Sequence, residues 1–356
     1  MIKILKTMKT NLYLVGLFIL GVAQFGYAQD YHFSQFDAIP NYINPALTGE
    51  RLTDYKGVQF NANFRGQKAQ YSKGSGSYQS IAVAAEEPIN SKFSLAQFVV
   101  NNKSATGSFN STSFMLTGAY KLIDQSSDKE DRQNLSVGLQ LGVVNKTILP
   151  ENFTYNAQYS SSSLDGFDRS LPTGETYNRQ SSNNFNVNFG IYYRATSKNK
   201  KLSGFGGFSI YNITQPNESF FGDYSPLPLR YNLHGGAMVK ATYLLTIMPQ
   251  IAYMQQAQAN ELNFGLLFFY KINKTLYEPI YGVSIRNRDA IIFQLGLRYK
   301  GIVFRTSYDV ITNNYLREYR NRGLEFSFVW TLEKKGLGKK RSKENNLKSS
   351  SELDNL

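Results

Sequence analysis

His32 and His234 are the only two histidines in a chain of 356 residues that has no cysteine. Thiolate nucleophiles and cysteine–metal sites are excluded, and a His-based triad or a histidine-rich metal cage has almost no material to draw on. No serine is tied to His234 by a local motif, so a Ser–His hydrolase is the weaker alternative. Gly74-Ser75-Gly76 lacks the strand-to-helix setting of a phosphate loop and reads as a turn. What remains is ionic: Arg286, Arg298, Arg305, Asp309 and Glu325 recur at spacings that place them on one face of consecutive strands. Opposite charges there can pair across the wall that the strands form, which matters because an unpaired buried charge is costly. Two readings stay open for this set: a solvated, structural charge ladder, or a ligand or partner site.

The elements that position these residues announce themselves by period-two alternation. Val58, Phe60, Ala62 and Phe64 alternate with Gln59, Asn61, Asn63 and Arg65; Leu135 to Val143 and Phe185 to Tyr193 behave likewise, as does Ile291 to Tyr299. Each run has one apolar face and one polar or glycine face. Strands of a soluble sandwich also alternate, but they are shorter. These runs approach the ~10 residues that a tilted strand needs to cross a bilayer, and they often finish in an aromatic ring, as at Tyr120, Tyr193, Tyr270, Tyr299 and Trp330. The expectation is an all-β fold, a transmembrane antiparallel β-barrel of about fourteen strands within residues 56–332. Connections after odd strands include the long polar stretches 66–76, 146–183, 213–230 and 310–321; those after even strands include 86–91, 195–202, 241–243 and 300–301. Long outer loops and short periplasmic turns are the asymmetry of outer-membrane barrels. Two connections depart from it, 123–133 being long and 287–289 short.

Composition agrees: 25 Tyr, 25 Phe and 28 Gly accompany a mean hydropathy of −0.36, as alternation cancels in any average. The formal net charge of +13 is scattered, without a recognition helix or base-stacking motif, so nucleic acid is not the expected partner. Anionic headgroups of outer-membrane lipid are. Lys3, Lys6 and Lys9 precede an apolar core from Leu12 to Phe25 and the small residues Gly26 and Ala28, which together read as a signal peptide over 1–28. At the other end 333–356 is basic and nearly devoid of apolar residues, a disordered periplasmic tail that is either inert or an electrostatic tether.

The segment between leader and wall, "QDYHFSQFDAIPNYINPALTGE" from Gln29, resembles the mature N-terminus of the PorP/SprF family of the Bacteroidetes type IX secretion system. The matching positions are Gln29, Asp30, Phe33, Ser34, Gln35, Asn44, Pro45, Ala46 and Gly49, with Tyr31 where the family has proline. Gln215, Pro216 and Asn217, in an outer loop, resemble a further family segment. Leu227, Pro228, Tyr231, His234 and Gly236 resemble another, as do Tyr308, Asp309 and Glu325, although Leu324 stands where histidine is usual. The resemblance implies an outer-membrane component of the secretion and gliding machinery, neither enzyme nor cofactor carrier. It would assist secretion or surface attachment of cell-surface proteins such as adhesins, by binding their C-terminal signal domain or other type IX components. For His234 it implies a structural hydrogen bond in the lumen. Asn44-Pro45-Ala46 also resembles a motif of fatty-acid-transporter barrels, whose leading segment is a lumen plug; residues 29–55 then form the plug, the alternative being a disordered leader. An irregular segment cannot sit in lipid, whereas a polar lumen satisfies its backbone groups. A passive channel for a hydrophobic or small polar solute, gated by that segment, is the rival function, since the same fold serves both.

Overall fold

The computed structural model describes residues 31–52, 57–68, 77–104, 106–125, 131–163, 166–312 and 322–332. The leader 1–28, Asp30 and the tail 333–356 lie outside the described residues. Fourteen strands close a barrel: β1 Val58–Lys68, β2 Ser77–Pro88, β3 Phe93–Lys103, β4 Phe109–Gln125, β5 Arg132–Ile148, β6 Ser181–Thr196 and β7 Leu202–Tyr211 form one half. The other half is β8 Arg230–Lys240, β9 Leu245–Gln256, β10 Ala259–Tyr270, β11 Tyr277–Arg286, β12 Ala290–Tyr299, β13 Ile302–Ile311 and β14 Arg322–Leu332. Every strand pairs antiparallel with its sequence neighbours, and closure joins β1 to β14 from Val58 opposite Leu332 to Gln67 opposite Gly323. Closure joins the two lateral edges of the sheet, so each strand has a neighbour on both sides.

The period-two pattern sets the facing. Leu139 and Leu295 are 48 % and 56 % exposed on the outside, whereas their neighbours Gln140 and Gln294 are 1 % and 2 % exposed inside. Replacing Leu139 or Leu295 with arginine should therefore cost about 2–4 kcal/mol where the residue lies at the bilayer midplane. The apolar replacement by phenylalanine should be nearly neutral. A urea titration of folding into lipid vesicles measures both; equal stability of the arginine and phenylalanine variants would overturn the facing.

The two ends of the barrel differ. One, the turn end, carries the start of β1 and the end of β14 together with the short connections 89–92, 126–131, 197–201, 241–244, 271–276 and 300–301. The connection expected to be long at 123–133 is shorter than that, because β4 runs on through a bulge between Lys121 and Ile123 to Gln125. Among the described residues, the opposite loop end carries the long connections 149–180 and 212–229 beside β5 to β8, and the tight links 104–108, 257–258 and 287–289.

The inner face is not uniformly polar. Ala82, Ala84, Phe98, Val100, Met115 and Val144 make an apolar inner patch on β2 to β5, and it buries Phe33, Phe36, Ile39, Tyr42 and Ile43 of the N-terminal segment. Inward apolar side chains have no reason to face water, and here they meet a chain inside the barrel.

Candidate functional site

Residues 31–52 run through the lumen from the loop end to the turn end, and their contacts fall into three levels. At the loop end Glu325 accepts the backbone amides of Ser34 and Gln35 at 2.7 and 3.0 Å, and the side-chain amide of Asn63 at 2.9 Å. Ser34 Oγ donates to Asp309 at 2.7 Å. Arg65 pairs with Asp309 at 2.9 Å and with Glu325 at 3.3 Å, while Arg286 pairs with Asp309 at 2.9 Å and with Asp289. Asp309 and Glu325 are both 0 % exposed. Two guanidinium groups against two central carboxylates give the charge balance that buried ions require. His32 Nδ1 lies 2.9 Å from Glu261, and Arg305 pairs with Asp37 at 2.8 Å.

Midway, Asn44 is fixed by its own turn. Its side-chain oxygen accepts the Ala46 amide at 2.9 Å, so the other side-chain atom is the NH2, which donates to the Ile191 carbonyl at 2.9 Å and meets His234 Nε2 at 3.1 Å. With Asn44 as donor, His234 accepts at Nε2 and carries its proton on Nδ1. Pro45 opens a short 3-10 turn over Pro45–Leu47 that this capping closes. Ser209 and Asn232 donate to the Ile43 carbonyl at 2.7 and 3.0 Å, and Tyr211 donates to that of Asn41 at 2.9 Å. Arg230 donates to the Tyr42 hydroxyl at 3.0 Å and lies over the Tyr42 ring, which itself stacks on Tyr31 and meets Phe33 edge-on.

The close approach is possible because the wall is thin there. A Cβ on Gly207 would lie 2.6 Å from both Asn44 Nδ2 and His234 Nε2, and one on Gly138 would collide with the Pro45 backbone. At the turn end Glu86 accepts the Gly49 amide at 2.8 Å and Glu50 accepts Ser136 Oγ at 2.7 Å, so carboxylates again satisfy the irregular backbone or anchor it.

Of the residues singled out in the sequence, Phe33, Gln35, Asn44, Pro45 and Ala46 lie in this segment, and His234, Arg286, Arg305, Asp309 and Glu325 meet it. Asp30 lies outside the described residues. The solvated ladder is not what the inner charges form: the segment covers them and several are fully buried. Arg298 stands apart, paired with Glu278 at 2.8 Å near the turn end. Gln215, Pro216 and Asn217 serve a loop instead. Asn217 accepts the Ser219 and Ser225 amides at 3.1 and 2.9 Å, and the Pro216 carbonyl accepts that of Leu227, folding 212–229 back on itself. Arg179 then donates to the Asn217 and Ser219 carbonyls at 3.0 and 2.8 Å, and Lys146 pairs with Glu218 at 2.5 Å, which ties that loop to 149–180 and the wall. Sequence reasoning passed over Arg65, Glu86, Arg230 and Glu261. For Arg65 and Glu261 the signal was charge at an inner position of an alternating strand, whereas Glu86 and Arg230 fell within the expected connections 86–91 and 213–230 and are reached because β2 runs to Pro88 and β8 begins at Arg230.

Comparison with curated protein sequences finds no match. Solved structures that resemble the barrel include a Pseudomonas aeruginosa FadL homologue, at 11 % identity and TM-score 0.46 over 82 % of this chain and 92 % of that one. The Ralstonia pickettii toluene transporter TbuX matches at 9 % identity and TM-score 0.45, over 82 % and 92 % of the two chains. The Pseudomonas putida toluene transporter TodX does so at 11 % and 0.45, over 86 % and 95 %. The sequence profile of the type IX secretion system membrane protein PorP/SprF matches residues 25–330, nearly the whole of the barrel and the segment inside it. With that match over a closed barrel whose outer face is apolar, the chain belongs to the PorP/SprF family of type IX secretion system membrane proteins and resides in the outer membrane.

Proposed function

We propose that the protein is a non-enzymatic part of the type IX secretion and gliding machinery that assists secretion or surface attachment of specific cell-surface proteins, adhesins among them, through protein–protein contacts. The observation that carries this reading is the packing of residues 33–46 inside a barrel of this family. A lumen occupied by its own chain leaves the rims and loops as working surfaces. Residues 29–55 act as a lumen plug, 56–332 as the wall and 333–356 as a basic periplasmic tail, freed of the leader 1–28 on export. The C-terminal signal domain of an exported protein is met at the loop end, where 149–180 and 212–229 are held together by Arg179. Other type IX components are met from the periplasm, where the tail offers an electrostatic tether.

Affinity purification of the full chain from native membranes, followed by mass spectrometry, tests the reading. The expected result is recovery of other type IX components and a large surface protein, with loss of that protein from the cell surface when the barrel is deleted. A barrel that comes down alone, and whose deletion impairs only uptake of a solute, would identify a passive channel instead.

A further inference from the structure

Three periplasmic turns hold a lysine in the left-handed region of backbone space: Lys200 at φ 54°, Lys274 at φ 60° and Lys300 at φ 54°. Glycine or asparagine adopts that conformation at least cost, and a residue with a long side chain there is uncommon. Among the described residues, the left-handed non-glycine positions at the loop end are Asn212, Gln215, Ala257 and Arg288, a mixed set. The periplasmic turns therefore accept backbone strain at positions that all present an ammonium group.

The neighbouring sequence extends the pattern. Lys198 and Lys201 share the first turn and Lys271 opens the second, and the stretches 197–201, 271–276 and 300–301 contain no acid. Of the acidic residues at this end, Glu87, Asp124 and Asp131 lie on the β2 to β5 arc, and Glu278, within the lysine arc, is buried and paired with Arg298 at 2.8 Å; Asp131 accepts the backbone amide of Lys198 at 2.8 Å where the two arcs meet. The lysines are interleaved with exposed apolar and aromatic side chains. Leu202 follows Lys201, Tyr270 and Ile272 flank Lys271, and Leu276 and Tyr277 follow Lys274. Lys300 Nζ lies 5.2 Å from the centroid of the Tyr299 ring, which stacks on Tyr277. Side chains of this mixture mark the boundary between hydrocarbon and water, where lysine stems lie along apolar surface and their heads reach the headgroup layer. A face built to dock an acidic protein would keep its charges clear of exposed apolar side chains such as Ile272 and Leu276.

We propose that the lysine arc from the β6–β7 turn to the β12–β13 turn is a binding site for the phosphate headgroups of acidic phospholipid in the periplasm-facing leaflet. The site rests on the membrane orientation of the barrel and is independent of the secretion role. Clustered lysines at a membrane surface each add attraction to anionic lipid that fades with salt.

The test is native mass spectrometry of the full chain from mixed micelles holding equal phosphatidylglycerol and phosphatidylcholine. The wild type should retain phosphatidylglycerol in preference, and added salt should erode that preference. The triple variant Lys200→Asn, Lys274→Asn, Lys300→Asn keeps a side chain suited to the left-handed turns, and its preference should fall about tenfold or more. Thermal melting in the same detergent reports whether the variant is folded, and the salt series on the wild type tests the site even where it is not. Equal retention of the two lipids by the wild type, or an unchanged preference in a folded triple variant, would overturn the site. Polyglutamate displacing the phosphatidylglycerol from the wild type would overturn it in favour of an acidic protein partner.

Discussion

Glu325→Gln is expected to destabilise the folded barrel by about 3–5 kcal/mol, the usual cost of removing one member of a buried ion group and stranding its partner. Glutamine preserves the volume and retains one acceptor, so packing changes little. What is lost is the charge that balances Arg65, at 3.3 Å, and the second acceptor oxygen for the Ser34 and Gln35 amides. Asp309 is then the one carboxylate shared by Arg65 and Arg286, while Arg286 keeps its second partner Asp289. The double variant Arg65→Gln, Glu325→Gln restores neutrality, with Arg286 and Asp309 left as a pair, and should recover a substantial part of the loss. A double-mutant cycle by urea unfolding from lipid vesicles measures the coupling. If both single replacements are nearly neutral, or if the double simply adds them, the cluster does not hold the fold in the way its geometry indicates.

Deleting residues 29–49 is expected to turn a silent barrel into a conducting one. The segment packs on the inner wall through apolar contacts with Phe98, Val100 and Met115 on one side and hydrogen bonds to Ser209, Asn232 and Glu325 on the other. Once it is gone, those inner charges and amides are hydrated, so the wall loses no essential partner in lipid. Planar-bilayer recordings should show stepwise current from the truncated chain and none from the full chain. Closed traces from both would refute a plug that seals the lumen, while leaving the segment as a structural brace.

The wall was legible because a strand's facing repeats every second residue, and lipid outside with polar groups inside writes that period into the sequence. Strand ends were harder. Lys121 to Gln125 departs from alternation at a bulge, and the extension of β4 past it carries Leu122 and Ile123 outward, which a simple pattern reads as connection. Inner contacts were harder still. Arg286 and Arg298 both face inward, one at the loop end of β11 and the other at the turn end of β12; the first joins the cluster under Ser34 and the second pairs with Glu278. Which fate applies depends on where the N-terminal segment passes, and that path is set by contacts between residues far apart in sequence. The inner glycines Gly138 and Gly207 were the available clue, since a polar or charged side chain would otherwise be the natural occupant of such a position.

The pairing of β1 with β14 carries a kinetic meaning. Ser34 and Gln35 are held by Glu325, which sits on the strand that closes the barrel, opposite Arg65 of β1. The last strand to leave the translocation machinery thus supplies both the seam of the wall and the hook for the N-terminal segment at Ser34 and Gln35. Contacts of such sequence separation form late, since loop closure precedes any gain from them. Seating of the segment and closure of the wall are therefore rewarded together, so a chain lacking its final strand leaves its N-terminal residues without that hook and exposed to proteases of the periplasm.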